Sequence, residues 1–300
     1  AKLGDDVTVE YAQGCLIAGD KTDGYVEAVA LAERADLVIF VGGLSQWLEG
    51  EEGQHESVPE GEQSQGDRTY IELPPVQQTL LERIHATGTP TVLVLYGGSA
   101  IAVPWADANL PAILMAWYPG QDGGAAVADV LFGDYNPAGR LPVTFYKSTG
   151  DLRDFRDYSM ENRTYRFFTG EALYPFGHGL SYTTFAYSNL RFSSESITTG
   201  DSVTVSADIT NTGDRAGDEV AQLYVTDLEA STRVALRVLR GFSRVHLAPG
   251  QTQTVKFTLA PADLALVNES GESIIEPGEF AITVGGRQPI PDATGDDILD

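Results

Sequence analysis

Cysteine is nearly absent from this chain. Its 300 residues hold one, Cys15, which excludes an internal disulfide and a metal site built from cysteine alone. Beside an apolar run, Cys15 reads as a small buried side chain. Positive charge is also scarce. Against 43 Asp and Glu stand 19 Lys and Arg, a formal net charge of −24. Such a surface repels phosphates, so no nucleic-acid partner is expected, and a neutral or cationic ligand suits it better. No run of about 18 apolar residues occurs, so no membrane-spanning helix and no membrane partner are expected. The opening "AKLGDDVTVEYAQG" has no apolar core of the signal-peptide kind.

Cofactor signatures are missing too. The four histidines, His55, His85, His178 and His246, form no pair at metal-ligand spacing, and no twelve-residue calcium loop is present, so no metal is assigned. "YPGQDGG" lacks the lysine of a phosphate loop and the spacing of a dinucleotide fingerprint, and its glycines fit helix–strand packing. In "GHGLS" Ser181 falls one place too late for a nucleophile elbow. No cofactor is expected.

What the sequence does contain divides into two halves. Up to residue 145, strand-like and helix-like segments alternate. "VTVEYA", "LVIFVGG", "TPTVLVLYGG" and "AILMAWYPG" read as strands. "YVEAVALAERA", "PPVQQTLLERIHATG" and "GGAAVADVLFGDYNPAG" read as helices, with proline at the second one's start and glycine at the second and third ends. Continuous apolar strands between helices predict an α/β sandwich with a mostly parallel sheet covered on both faces. Residues 188–290 carry short runs with partial alternation, such as "SVTVSADITN", "EVAQLYVTD" and "QTVKFTLA". They predict an all-β, immunoglobulin-like sandwich. Residues 146–187 are aromatic and aperiodic and read as an ordered linker laid against both domains. Residues 291–300 read as a loose tail.

One loop stands out chemically. After the strand "DLVIFVGGL" comes "SQWLEGEEGQHESVPEGEQSQGDRTYIELP", Ser45 to Pro74. Ligands of parallel sheets meet the carboxyl ends of the strands. Here that end carries Trp47 and four carboxylates, Glu49, Glu51, Glu52 and Glu56. As bare composition this is a solvated acidic loop.

The order of several runs makes the chain similar to glycoside hydrolase family 3, the β-glucosidases and β-xylosidases. The runs are "GDRTYIELPPVQQTLL", "AWYPGQDGGAAVADVLFGDYNPAGRLPVTF", "NRTYRFFTGEALYPFGHGLSYTTF" and "LRGFSRVHLAPGQTQTVKFTL". The resemblance implies the last two domains of that family, the α/β sandwich and a fibronectin type III-like domain, without the (β/α)8 barrel that precedes them. It implies an exo-acting retaining enzyme that releases terminal β-glucose or β-xylose from an oligosaccharide or other β-glycoside. The barrel, as a domain or a separate chain, holds the aspartate nucleophile. The α/β sandwich lends the general acid/base from a loop of the form E-x-E-x-x-D-R. In this sequence "LEGEE" and "GDR" match that form, with an insert between them. Glu49 matches the first glutamate, and Glu51 and Glu52 are the alternatives. A periplasmic or secreted location is favoured.

The acid/base of a retaining enzyme starts protonated, so its carboxyl must titrate above the usual range, through burial or neighbouring negative charge. Carboxylates clustered beside Trp47 are expected to provide both. Trp47 either packs beneath the loop or offers its indole face to a sugar. Arg68 is expected to pair with an acidic neighbour and fix the loop. The rival expectation is a non-catalytic carbohydrate-binding or scaffolding chain with the same fold.

Overall fold

The computed structural model describes residues 3–4, 6–50, 60, 67–289 and 297–299. The chain packs as two units, residues 1–127 with 145–151 and residues 128–144 with 152–300.

The first unit runs α1 (Tyr25–Ala32), β1 (Val38–Gly43), α2 (Gln46–Glu49), α3 (Pro75–His85), β2 (Thr91–Tyr96), α4 (Pro104–Asn109), β3 (Ala112–Met115) and α5 (Gly123–Leu131), whose last turn leaves it. The strands form a parallel sheet in the order β1-β2-β3, with Phe40 opposite Leu93 and Leu93 opposite Ile113. Central β2 has Leu93, Val94 and Leu95 fully buried, which is why its sequence reads apolar without alternation. Helix α3 starts at a proline and turns Val76, Leu80, Leu81 and Ile84 inward at helical spacing. Each such side chain contributes about 1.5–3 kcal/mol by leaving water.

Two expectations fail near the amino terminus. "VTVEYA" forms no strand: Val9 and Tyr11 are 74% and 83% exposed. A strand needs a partner for its ladder, and among the described residues the sheet ends at β1, whose Ile39 and Val41 are themselves exposed. Cys15 is half-buried rather than enclosed, and partial burial pushes its thiol up.

The second unit contains α6 (Thr164–Phe167), β4 (Phe185–Phe192), β5 (Val203–Asn211), β6 (Gly217–Asp227), β7 (Val238–Leu247), β8 (Thr252–Leu259), β9 (Leu266–Val267), β10 (Ser273–Ile274), β11 (Phe280–Gly285) and β12 (Ile298–Leu299). One antiparallel sheet runs β4-β5-β8 and the other β12-β11-β6-β7. Their inner faces share a core that includes Val205, Ile209, Leu223, Leu247, Leu259 and Val284. In β5 every second residue is buried, as the alternation in "VTVSADITN" requires. The tail differs from expectation at its described end, where Leu299 pairs with Val284 and Ile298 is buried.

Residues 128–144 belong to this unit through charge as well as packing. Arg140 reaches Glu219 of β6 at 2.7 Å, and Tyr187 donates to the same carboxylate at 2.8 Å. A charged pair this deeply buried persists only when hydrogen bonds satisfy its remaining atoms. Arg140 Nε supplies one to the Gly286 carbonyl, at 3.2 Å. Among the described residues no helix is long and apolar enough to cross a membrane.

Candidate active site

Glu49 is positioned by the way β1 ends. Gly43 takes φ +117°, and a Cβ there would lie 2.0 Å from the Tyr96 carbonyl oxygen, so only glycine fits. Buried Gln77 of α3 clamps the same residue, accepting from Gly43 N at 2.7 Å and donating to Gly43 O at 2.7 Å. Leu44 N then bonds Tyr96 O, and the Ser45 hydroxyl accepts from Leu48 N at 3.2 Å. That N-cap starts the single turn α2, at whose end stands Glu49.

Both carboxylate oxygens of Glu49 are taken by loops at the ends of the neighbouring strands. After β2, Gly98 N donates to Oε2 at 2.6 Å and the Ser99 hydroxyl donates to Oε1. After β3, the Tyr118 hydroxyl donates to Oε2. Arg68 Nη1 lies 3.7 Å from Oε1 and also donates to Ser99 Oγ at 2.9 Å. The pairing expected of Arg68 is therefore observed. Among the described residues its Nε and Nη2 are buried without an acceptor.

The electrostatics run against expectation. Burial pushes the Glu49 carboxyl up. Hydrogen bonds from Ser99, Tyr118 and Gly98, with the charge of Arg68, outweigh it and hold the group below the usual carboxylate range. Burial and the bond to ionised Glu49 push the Tyr118 phenol up in turn. Among the described residues, no neighbouring carboxylate sets this balance. Donors from two other loops do.

Backbone strain accompanies the site. Trp117, between β3 and Tyr118, has φ +55°, which costs a non-glycine residue on the order of 1–3 kcal/mol. Its ring meets Phe145 edge-on at 6.1 Å. At Gly98 a Cβ would lie 2.9 Å from the Tyr118 ring and 3.1 Å from Glu49 Oε2, so the close approach depends on glycine.

Beside the carboxylate opens a cleft of about 570 Å³ lined by Ser45, Trp47, Tyr96, Tyr118, Pro119 and the glycines that open α5. Trp47 is partly buried and lines this cleft. Glu51, Glu52, Glu56 and His55 lie outside the described residues. Gly98, Ser99 and Tyr118 were not singled out by the sequence. The available signal was that "YGGSA" and "AWYPG" follow parallel strands. Among the described residues no group of three or more His, Cys, Asp or Glu side chains could hold a metal ion.

Comparison with known proteins identifies the family of the two units. Residues 6–182 match the glycosyl hydrolase family 3 C-terminal domain, and residues 219–288 match a fibronectin type III-like domain. A β-xylosidase of Formosa agariphila is 39% identical over 97% of this chain and 39% of its own length. A xylan 1,4-β-xylosidase of Xylanibacter ruminicola is 43% identical over 90% of this chain and 30% of its own length. Among solved structures, a β-glucosidase from Erythrobacter marinus superposes with a TM-score of 0.78 at 37% identity, over 93% of this chain and 39% of that one. The chain thus spans about three tenths to two fifths of the length of these relatives. It belongs to glycoside hydrolase family 3, as an α/β domain followed by a fibronectin type III-like domain.

Proposed function

We propose that this chain is the acid/base-bearing portion of an exo-acting retaining β-glycosidase, with the nucleophile on a (β/α)8 barrel domain or chain. The observation that carries this reading is the carboxylate of Glu49, fixed at the carboxyl ends of three parallel strands beside an open aromatic cleft. The substrate class is a terminal β-glucoside or β-xyloside.

In the first step the barrel carboxylate attacks the anomeric carbon. The acid/base gives its proton to the departing glycosidic oxygen. In the second step the same group, now ionised, takes a proton from the water that releases the sugar. The shell around Glu49 suits the ionised form of the second step. For the first step the nucleophile must approach within about 5–5.5 Å, which places like charge beside Glu49 and raises its affinity for a proton.

One observation favours a second assignment of the same chemistry. Both oxygens of Glu49 are already hydrogen-bonded, as suits a residue that anchors the loop. Glu51 or Glu52 then carries the proton. Azide separates the two, because it attacks the glycosyl-enzyme without a general base. In the barrel-containing enzyme Glu49→Ala should lose about 10²–10⁴-fold on disaccharides, lose far less on nitrophenyl glycosides in the first step, and recover turnover with azide as a β-glycosyl azide. Azide rescue of Glu51→Ala or Glu52→Ala instead, with none for Glu49→Ala, moves the proton to the rescued residue. The 300-residue chain alone should hydrolyse neither nitrophenyl β-glucoside nor β-xyloside. Robust turnover by it would remove the need for a barrel.

A further inference from the structure

We infer that the β-sandwich unit carries a second carbohydrate site, selective for a sugar carboxylate. The site is a cavity of about 220 Å³ between α6, the segment joining β6 to β7, and the start of β9. Its lining includes three arginines, Arg166, Arg233 and Arg240. Among the described residues none of their guanidinium groups makes an ion pair or a hydrogen bond.

That absence is unusual in a chain with 43 acidic residues. Elsewhere in the same unit Arg140, Arg191, Arg244 and Arg287 each hold a carboxylate within 3 Å. Each of the two carboxylates that line the cavity gives one oxygen to a backbone amide rather than to an arginine. Asp227 accepts from Glu229 N at 3.1 Å, and Asp263 accepts from Ala260 N at 2.9 Å. Among the described residues, three guanidinium groups without a carboxylate partner therefore remain around one hollow.

The fold fixes two of them and desolvates the third. Arg166 and Arg233 both lie over the ring of Phe167, with guanidinium carbons 5.8 Å and 5.4 Å from its centre. The Leu236 amide donates to the Arg166 carbonyl at 2.7 Å, which ties α6 to the arginine-bearing segment. Arg240 sits in a β-bulge. Leu223 and Tyr224 of β6 are consecutive, yet they face Gly241 and Leu239 of β7, so Arg240 is the extra residue. Bulges re-aim a side chain, and here Arg240 Nε is buried with no acceptor among the described residues. A buried, unused donor of a charged group costs free energy that a bound oxyanion returns.

The rest of the lining narrows the ligand. Val225, Val238, Leu264, Leu266 and Phe280 make most of the wall apolar. The occupant must offer an anion on one edge and C–H faces elsewhere. Guanidinium forks match planar carboxylates. A hexuronate ring fits both demands, and the choice of a sugar among carboxylates rests on the glycosidase reading. Binding itself requires no turnover, so its test does not depend on that reading's outcome.

Titrate the full chain at low salt with D-glucuronate, D-glucose, benzoate and inorganic phosphate, following amide shifts by NMR. Glucuronate should bind at least about tenfold more tightly than glucose and perturb Val234, Ala235 and Val238. Arg233→Gln and Arg240→Gln should each weaken it about tenfold or more, as loss of one charge-assisted hydrogen bond implies. Arg166→Gln, on the exposed side, provides a variant whose fold is not in question and should also weaken binding. Absence of glucuronate binding overturns the site. So does binding that all three substitutions leave unchanged. Benzoate or phosphate binding as tightly as glucuronate overturns its assignment to a sugar acid.

Discussion

Glu49 in the α/β unit and Glu219 in the sandwich are both enclosed carboxylates, with side chains 14% and 4% exposed. Their partners differ. Glu219 is locked to Arg140 at 2.7 Å, with Tyr187 as the second donor. Glu49 is held mainly by neutral groups, an amide and two hydroxyls, and its arginine stands back at 3.7 Å. A full ion pair fixes a carboxylate in one charge state, because protonation would strand the buried cation. Neutral donors stabilise the ionised form less, and hydroxyls can turn to accept when a proton arrives. The first arrangement builds a fold. The second suits a group that changes charge during a reaction.

The largest effect expected from this contrast is on stability, at Glu219. Glu219→Ala leaves Arg140 buried without a counter-charge and should cost about 3–5 kcal/mol in urea unfolding followed by circular dichroism. Glu49→Gln keeps an acceptor for Ser99, Tyr118 and Gly98 and should cost about 1 kcal/mol. Equal losses would erase the distinction between the two carboxylates.

A smaller loss tests how closed the polar layer beside Glu219 is. Gln222 of β6 donates to the carbonyls of Gly177 and Gly286, at 3.1 Å and 2.9 Å. Gly177 has φ +79°, and a Cβ would fall 2.2 Å from Gln222 Oε1. Gly177→Ala combines left-handed strain with displacement of that amide, and about 2 kcal/mol is expected. A melting temperature unchanged from the parent would show that the layer yields.

The same contrast explains what the sequence disclosed. Alternation in "VTVSADITN" and the apolar run "TVLVLY" mark β5 and β2 because burial on one face or two leaves a local period. The acidic loop was legible as a candidate site because it leaves the end of a strand. Its electrostatics were not. Gly98, Ser99 and Tyr118 lie 49, 50 and 69 residues from Glu49 along the chain, and no local pattern announces a donor that arrives from another loop. The missing strand at "VTVEYA" has the complementary cause. Its β-forming residues are present, but a strand is also a matter of partners. Arg240 was invisible for a third reason, since a bulge changes where one side chain points without changing the strand's composition.

An effect as small as that of Glu49→Gln is also the most specific to the shell of Glu49. Tyr118→Phe removes one donor from the carboxylate and leaves Ser99 and Gly98 in place. Because the folded state holds Glu49 below its ordinary range, its ionised form contributes stability above the unfolded value, near pH 4.3. That contribution is lost as pH falls through the folded value. Tyr118→Phe moves the folded value up toward the ordinary one, so part of the contribution disappears. The variant should be about 1 kcal/mol less stable than the parent at pH 7, and the gap should narrow as acid protonates Glu49 in both proteins. Urea unfolding of parent and variant at pH 7, 5 and 3 measures it. A gap that stays constant across this range would mean that Tyr118 contributes packing alone, and the neutral shell that sets Glu49 apart from Glu219 would then lose one of its two hydroxyls.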